Sequence, residues 1–262
     1  MIFRVLLSLF FSISLYAASD SLSSKVITTL EVGIYLPSIS ASISNISGDS
    51  DFKDDFGYNT AEATYLSADI QLAYDYVPNI AFGYFNMQDN ATTTLSREVR
   101  VADTDFNSSI SSQIDYQVFN LILYKDFRIK GQMKSLFGKA IYSGDLEFDV
   151  GLNTKLFMWK YEVQDLTKPT VSPSWIEVNE LIALPYFAFR YHWYDFKFYS
   201  SVSALAFSSA KSTSYQYGVA FRVVDGLFLS VSYLSEEFKA VESRDTVDFQ
   251  TDGYKLSVKY AF

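Results

Sequence analysis

The sequence has no cysteine, one histidine (His192) and five prolines in 262 residues. Lack of cysteine excludes a disulfide framework and a thiolate metal site, and it suits an envelope protein that folds without cross-links. With a single histidine there is no His-rich metal signature, and no P-loop or Gly-x-Ser-x-Gly elbow occurs. No metal or cofactor is expected. Positive charge is in short supply too: the net charge is −9, which argues against nucleic acid as a partner.

Long apolar runs are missing after residue 20. The longest, Leu181 to Phe189, carries Pro185 inside it and falls far short of the roughly 20 residues a membrane helix needs. Only helices and closed barrels satisfy every backbone polar group in lipid. The chain beyond residue 20 is therefore either soluble or a transmembrane β-barrel.

Aromatic residues are abundant, 23 Phe and 20 Tyr in a chain that is 18% aromatic. Such residues collect at membrane–water interfaces, where ring and hydroxyl face different solvents. At the N-terminus, Arg4 precedes an apolar stretch from Val5 to Leu15 broken only by serines, and Ala17 and Ala18 follow. That order predicts a secretory signal peptide over 1–18, leaving 19–262 as the barrel.

Period-two alternation recurs along the chain. Tyr254, Leu256, Val258, Tyr260 and Phe262 alternate with Gly253, Lys255, Ser257, Lys259 and Ala261, placing apolar and polar sets on opposite faces. The same pattern predicts ten strands, at about 26–38, 64–77, 79–95, 111–127, 146–162, 176–193, 195–209, 212–224, 227–241 and 247–262. Eight or twelve are the alternatives. Ten is even, as single-chain bacterial barrels require. Short connections at Pro78-Asn79, Tyr194-Asp195 and Asp225-Gly226 alternate with long polar ones near 39–63, 96–110 and 163–175. Short turns belong on the periplasmic side.

One connection on that short side, 128–145, is long. Met133, Leu136, Phe137, Ala140 and Ile141 follow helical spacing, with Lys130, Lys134 and Lys139 supplying charge. A short amphipathic helix at about 131–142 is expected there, with a strand extension and turn as the alternative.

The closing Tyr260-Ala261-Phe262 resembles the C-terminal signal read by the outer-membrane barrel-assembly machinery, carried by Tyr260 and Phe262. The chain also resembles an uncharacterised family of small bacterial outer-membrane β-barrel proteins. The features that match are Glu31-Val32-Gly33, Val77-Pro78-Asn79-Ile80, Asp149-Val150-Gly151 and Leu184-Pro185-Tyr186, in that order. The resemblance implies fold and outer-membrane location, and supplies no activity. The 128–145 connection departs from the family pattern.

Candidate functional residues fall mainly on the predicted inner face. Glu31, Asp69, Asp75, Glu147, Asp149 and Lys155 lie on the first five strands; Arg190, Lys197, Arg222, Lys255 and Lys259 lie on the last five. So narrow a barrel brings opposed charges together, as structural pairs or as a polar conduction path. Outside it, Asp49, Asp51, Asp54 and Asp55 read as a solvated loop lacking the Gly and Glu of a calcium loop. Arg97 and Arg100 suit lipopolysaccharide phosphates. His192, beside the Tyr194-Asp195 turn, reads as a rim contact, and no catalytic residue is assigned. The expected role is therefore non-enzymatic, structural or surface-interacting, in contact with outer-membrane lipids and lipopolysaccharide. A narrow pore or small-solute transporter is the alternative, and a lipid-modifying or proteolytic enzyme a more distant one.

Overall fold

The computed structural model describes residues 26–45, 48–72, 76–136, 139–168, 170–206, 211–242 and 245–262. The signal peptide expected over 1–18 lies outside these residues, as does Asp75.

Ten antiparallel strands form one sheet that closes on itself. They are β1 (Val26–Asn45), β2 (Ala63–Leu72), β3 (Asn79–Thr94), β4 (Ser109–Ile129), β5 (Asp145–Asp165), β6 (Ser174–Trp193), β7 (Phe196–Ala206), β8 (Lys211–Val224), β9 (Leu227–Glu242) and β10 (Asp245–Ala261). Each pairs with its neighbours in sequence, and β10 returns to β1 from Thr29↔Ala261 to Ser44↔Thr246. Reciprocal backbone bonds between Thr28 and Phe262, 2.9 and 3.0 Å, carry the seam to the last residue. Closure leaves no unpaired edge, which is what a sheet surrounded by lipid requires. Predicted and observed strands agree in number and order, although β1 runs seven residues beyond its predicted end.

One short turn depends on a glycine. Gly226 sits at φ +79°, and a Cβ there would meet the Ala261 carbonyl oxygen at 2.6 Å. A side chain at that position would be strained and would also push the closing strand away.

The expected helix at 131–142 is not formed. Met133–Leu136 and Lys139–Tyr142 make a small antiparallel hairpin instead, in the register Lys134↔Ile141 and Ser135↔Ala140. A helix of about a dozen residues is marginal in water, and Gly138 inside it would cost about 1 kcal/mol. The hairpin rests on the periplasmic rim, where Trp193 Nε1 donates to the Tyr142 carbonyl at 3.2 Å.

The chemistry of the two faces exchanges along each long strand. In β1 the outward row is apolar through Val32, Ile34 and Leu36, then becomes Ser38, Ser40, Ser42 and Ser44. Its inward row begins with Glu31 and ends with Tyr35, Ile39, Ala41 and Ile43, all four buried. β5 repeats this, with Phe148, Val150 and Leu152 exposed outside Asp149 and Asn153, and then Lys160 and Glu162 outside Trp159, Tyr161 and Val163. β10 does the same in reverse chain order.

The outward apolar band covers Leu30 to Leu36 on β1 and Tyr254 to Phe262 on β10. Tilted strands of about 9–11 residues span a bilayer, so this band matches the hydrocarbon layer. Its aromatic rows, such as Trp193, Phe196, Tyr260 and Phe262 at the short-turn end, mark an interface. The protein is a β-barrel of the bacterial outer membrane. Its external half stands clear of lipid, polar outside and packed with buried, mostly apolar side chains within.

Candidate functional site

The lumen has three levels, set by which inward residues each strand delivers. At the external end it is filled. β2 stops at Ala63, and the segment that precedes it folds back along β1: the Phe52 N–H donates to the Ala41 carbonyl at 2.9 Å, and Ala61 N–H to Pro37 at 3.0 Å. This places Phe52, Phe56 and Tyr58 inside the barrel, each at most 1% exposed. Phe52 meets the Tyr161 ring of β5 at 4.6 Å, and Phe56 meets it at 5.1 Å.

Below them, rings cross the full width. Tyr35 on β1 touches Phe85 on β3 at 5.5 Å, and Phe85 touches Tyr116 on β4 at 5.4 Å. Tyr116 in turn reaches Phe249 on β10 at 4.8 Å and Phe238 on β9 at 5.9 Å. A hairpin formed by Val99–Val101 and Thr104–Phe106 covers the top. It is tied to β1 by Asn45 Nδ2 donating to the Arg100 carbonyl at 3.2 Å, and to β6 by Ser174 and Thr104 at 2.6 Å. Val99, Val101 and Phe106 on that hairpin point into the core.

The middle and lower levels are polar. Lys155 on β5 donates to Glu236 on β9 at 2.5 Å across the lumen, directly under the aromatic layer; both side chains are under 8% exposed. Toward the periplasm, Arg190 holds Asp149 at 2.5 Å and Glu147 at 2.6 Å, with Asp69 at 3.6 Å. Glu147 also accepts from Arg128 at 3.0 Å, and Tyr124 donates to Asp69 at 2.5 Å. On the seam, Glu31 receives Lys255 at 2.9 Å and Lys259 at 3.6 Å. The Lys255 and Lys259 ammonium groups also lie over the Tyr65 and Tyr199 rings, at 3.6 and 4.0 Å. Charges withdrawn from water are tolerated only when paired like this.

Among the sequence-predicted lumen residues, Glu31, Asp69, Glu147, Asp149, Lys155, Arg190, Lys255 and Lys259 therefore come together in ion pairs. Lys197 faces the lumen without one. Arg222 stands apart at the rim, bound to Asp195 of the Tyr194-Asp195 turn at 2.9 Å. Acidic and basic residues are not divided between the first five and last five strands, since Arg128 and Lys155 lie on β4 and β5, and Glu236 lies on β9. Glu236 was missed, although parity with Ser232 and Leu234 puts it on the inner row.

Two neighbouring spaces in the lumen share Thr29, Lys197 and Lys259 in their linings. A chamber of about 190 Å³ lies between the aromatic layer and the Arg190 cluster, lined by residues such as Asn120, Asn153 and Lys155. A mouth of about 260 Å³ opens at the periplasmic end beside Gln71, Arg128, Glu147 and His192. His192 Nε2 lies 3.7 Å from Glu147 at that mouth.

The external loop carboxylates serve the loop. Asp51 accepts the backbone N–H groups of Lys53 and Asp54 at 2.8 and 2.9 Å, and Asp55 receives Arg97 at 2.5 Å. Among the described residues no group of His, Asp and Glu is arranged to hold a metal ion. Arg100, the other expected lipopolysaccharide contact, lies 3.6 Å from Asp105 and 3.7 Å from Asp103.

No family model matches the chain, and no curated protein does. Solved structures with some likeness include Ail of Yersinia pestis in complex with sucrose octasulfate, at 8% identity and a TM-score of 0.30, covering 89% of this chain and 99% of that one. The translocator domain of autotransporter NalP from Neisseria meningitidis gives 10% identity and 0.43, covering 99% and 97%. The Pseudomonas putida toluene transporter TodX gives 8% and 0.28, covering 89% of each. At these scores none bears on activity, and the fold rests on the strand pairing itself.

Proposed function

We propose that the protein is a non-enzymatic, non-conducting outer-membrane barrel with a structural or surface-interaction role, its external half serving as a rigid platform outside the cell. One observation carries this reading: the ring-to-ring layer from Tyr35 through Phe85 and Tyr116 to Phe249, with Phe52 and Phe56 buried above it, fills the external half with packed side chains. Side chains packed at van der Waals distance exclude both water and ions. The lumen charges are then structural pairs that let a narrow polar interior close on itself.

Tyr260 and Phe262 are half exposed in the lipid-facing row, which suits their reading as a signal for the barrel-assembly machinery. The signal-peptide reading of 1–18 goes with it. Contact with lipid follows from the apolar band. Contact with lipopolysaccharide falls to the polar outward rows above that band, because Arg97 and Arg100 are paired with carboxylates of the external loops.

Planar-bilayer recording tests the reading. The purified barrel should give no stable current steps, whereas a variant with Phe52, Phe56 and Tyr58 all replaced by Ser should give them. Steady, voltage-stable steps from the unaltered protein would overturn the proposal and favour a pore or small-solute transporter.

A further inference from the structure

The lumen pairs leave one cation over. Lys155, Arg128, Arg190, Lys255 and Lys259 each have a carboxylate within 4 Å. Lys197 has none among the described residues, and its nearest strand neighbours by register are His192 and Ala220. It lines both the mouth and the inner chamber, as do Thr29 and Lys259. Lys197 and Lys259 thus lie where the periplasm-facing mouth and the inner chamber adjoin.

The chamber beyond is rich in unspent acceptors. Asn120 and Asn153 line it, and their Oδ1 atoms are buried without a hydrogen-bond partner among the described residues. The Asn153 amide nitrogen is already used, donating to Ser203 at 3.1 Å, so the free atom calls for an incoming donor. Buried acceptors are seldom left unmet, because hydration lost without a replacement donor is costly. The space of about 190 Å³ far exceeds the roughly 15 Å³ that one water needs.

We propose that this chamber is a binding site for a small hydroxylated organic anion, such as a sugar acid or sugar phosphate, admitted from the periplasm. Lys197, assisted by Lys259, takes the anionic group. Asn120 and Asn153 accept from the ligand's hydroxyls, and the Tyr199 ring gives a flat wall. The proposal extends beyond the platform role: the site is a dead end, so it holds the solute and does not pass it outward. Binding at the site stands or falls independently of conductance, whereas retention of the solute rests on the non-conducting reading.

Titration calorimetry on the folded full barrel tests it, using gluconate and glucose 6-phosphate, with glucose and inorganic phosphate as controls. At least one hydroxylated anion should bind more tightly than about 1 mM, and both controls more weakly. Lys197→Met and Lys197→Gln should each weaken binding about tenfold or more, and Lys197→Arg should restore most of it. Lys160→Met, on the outer surface, should change nothing. Heat-dependent gel mobility reports whether each variant is folded. The site reading is overturned if neither anion binds at 10 mM, if folded Lys197 variants bind like the unaltered protein, or if either control binds as well.

Discussion

Replacing Lys155 with Met should destabilise the barrel by about 3–5 kcal/mol, the range for stranding one member of a buried ion pair. Lys155 and Glu236 are 2% and 7% exposed at the side chain, and their contact spans the lumen from β5 to β9. Without the ammonium, Glu236 keeps the Ser214 hydroxyl, donating at 3.3 Å, beside the buried Tyr116 and Phe238 rings. A lone hydroxyl cannot compensate a carboxylate taken out of water. The double variant Lys155→Met/Glu236→Leu removes both charges and extends the apolar layer downward by one step. Such replacements are often neutral or stabilising, so it should recover most of the loss. The coupling between the two sites should therefore be at least about 2 kcal/mol, well outside the additive range of about 0.5 kcal/mol. Reversible urea unfolding of the barrel in lipid vesicles, followed by tryptophan fluorescence and gel mobility, measures all three variants against the parent. A loss below about 1 kcal/mol in the single variant, or a double variant no more stable than that single one, would refute the view that this pair is buried and mutually dependent.

Two further outcomes concern the external loops. Arg97→Ala removes the guanidinium that Asp55 and the Asp49 carbonyl share. Being half exposed, it should change global stability by about 1 kcal/mol or less, yet it should speed limited proteolysis within 48–62; unchanged cleavage would count against a latch there. At the end of β5, Asp165 accepts from the Thr167 hydroxyl and N–H and from Ser108, which lowers its pKa to about 2. A depressed carboxylate pKa supports the fold above the unfolded value and loses that support as pH falls through the folded one. Protection of the 165–168 turn in hydrogen exchange should thus persist at pH 4 and fade near pH 2, a fade that Asp165→Asn should abolish by removing the protection at all pH values.

Much of the fold was readable in the sequence because alternation is a direct imprint of the pleat. The ten segments, the Asp225-Gly226 hairpin and the inward row carrying Glu31, Asp149 and Lys255 all follow from period two. Parity says which residues share a face; it does not say what that face meets. Ser38, Ser40 and Ser42 look like a lumen row once lipid is assumed outside, although they face water and Ile39 and Ala41 face the core. The aromatic plug was hidden for a second reason. Phe52, Phe56 and Tyr58 sit among aspartates in a stretch with no period at all, and only tertiary packing on Trp159 and Tyr161 gives them a place. The 131–142 stretch failed differently. Its apolar positions fit a helical period and a pair of four-residue strands about equally, and for so short a segment the turn decides.

The face exchange along the strands has a mechanical consequence. Most membrane anchors join their exposed part through a linker, whose slack decides how far and at what angle that part roams. Here long strands that are gripped by lipid, such as β1, β5 and β10, continue without interruption into the walls of the exposed part. On β1 the continuation is Ser38 to Asn45, which at about 3.3 Å per residue and a tilt near 45° lifts the crown roughly 20 Å above the hydrocarbon. The crown can neither swivel nor retract. Anything it meets is met at one height and one orientation, fixed by the hydrogen-bond register of the barrel itself.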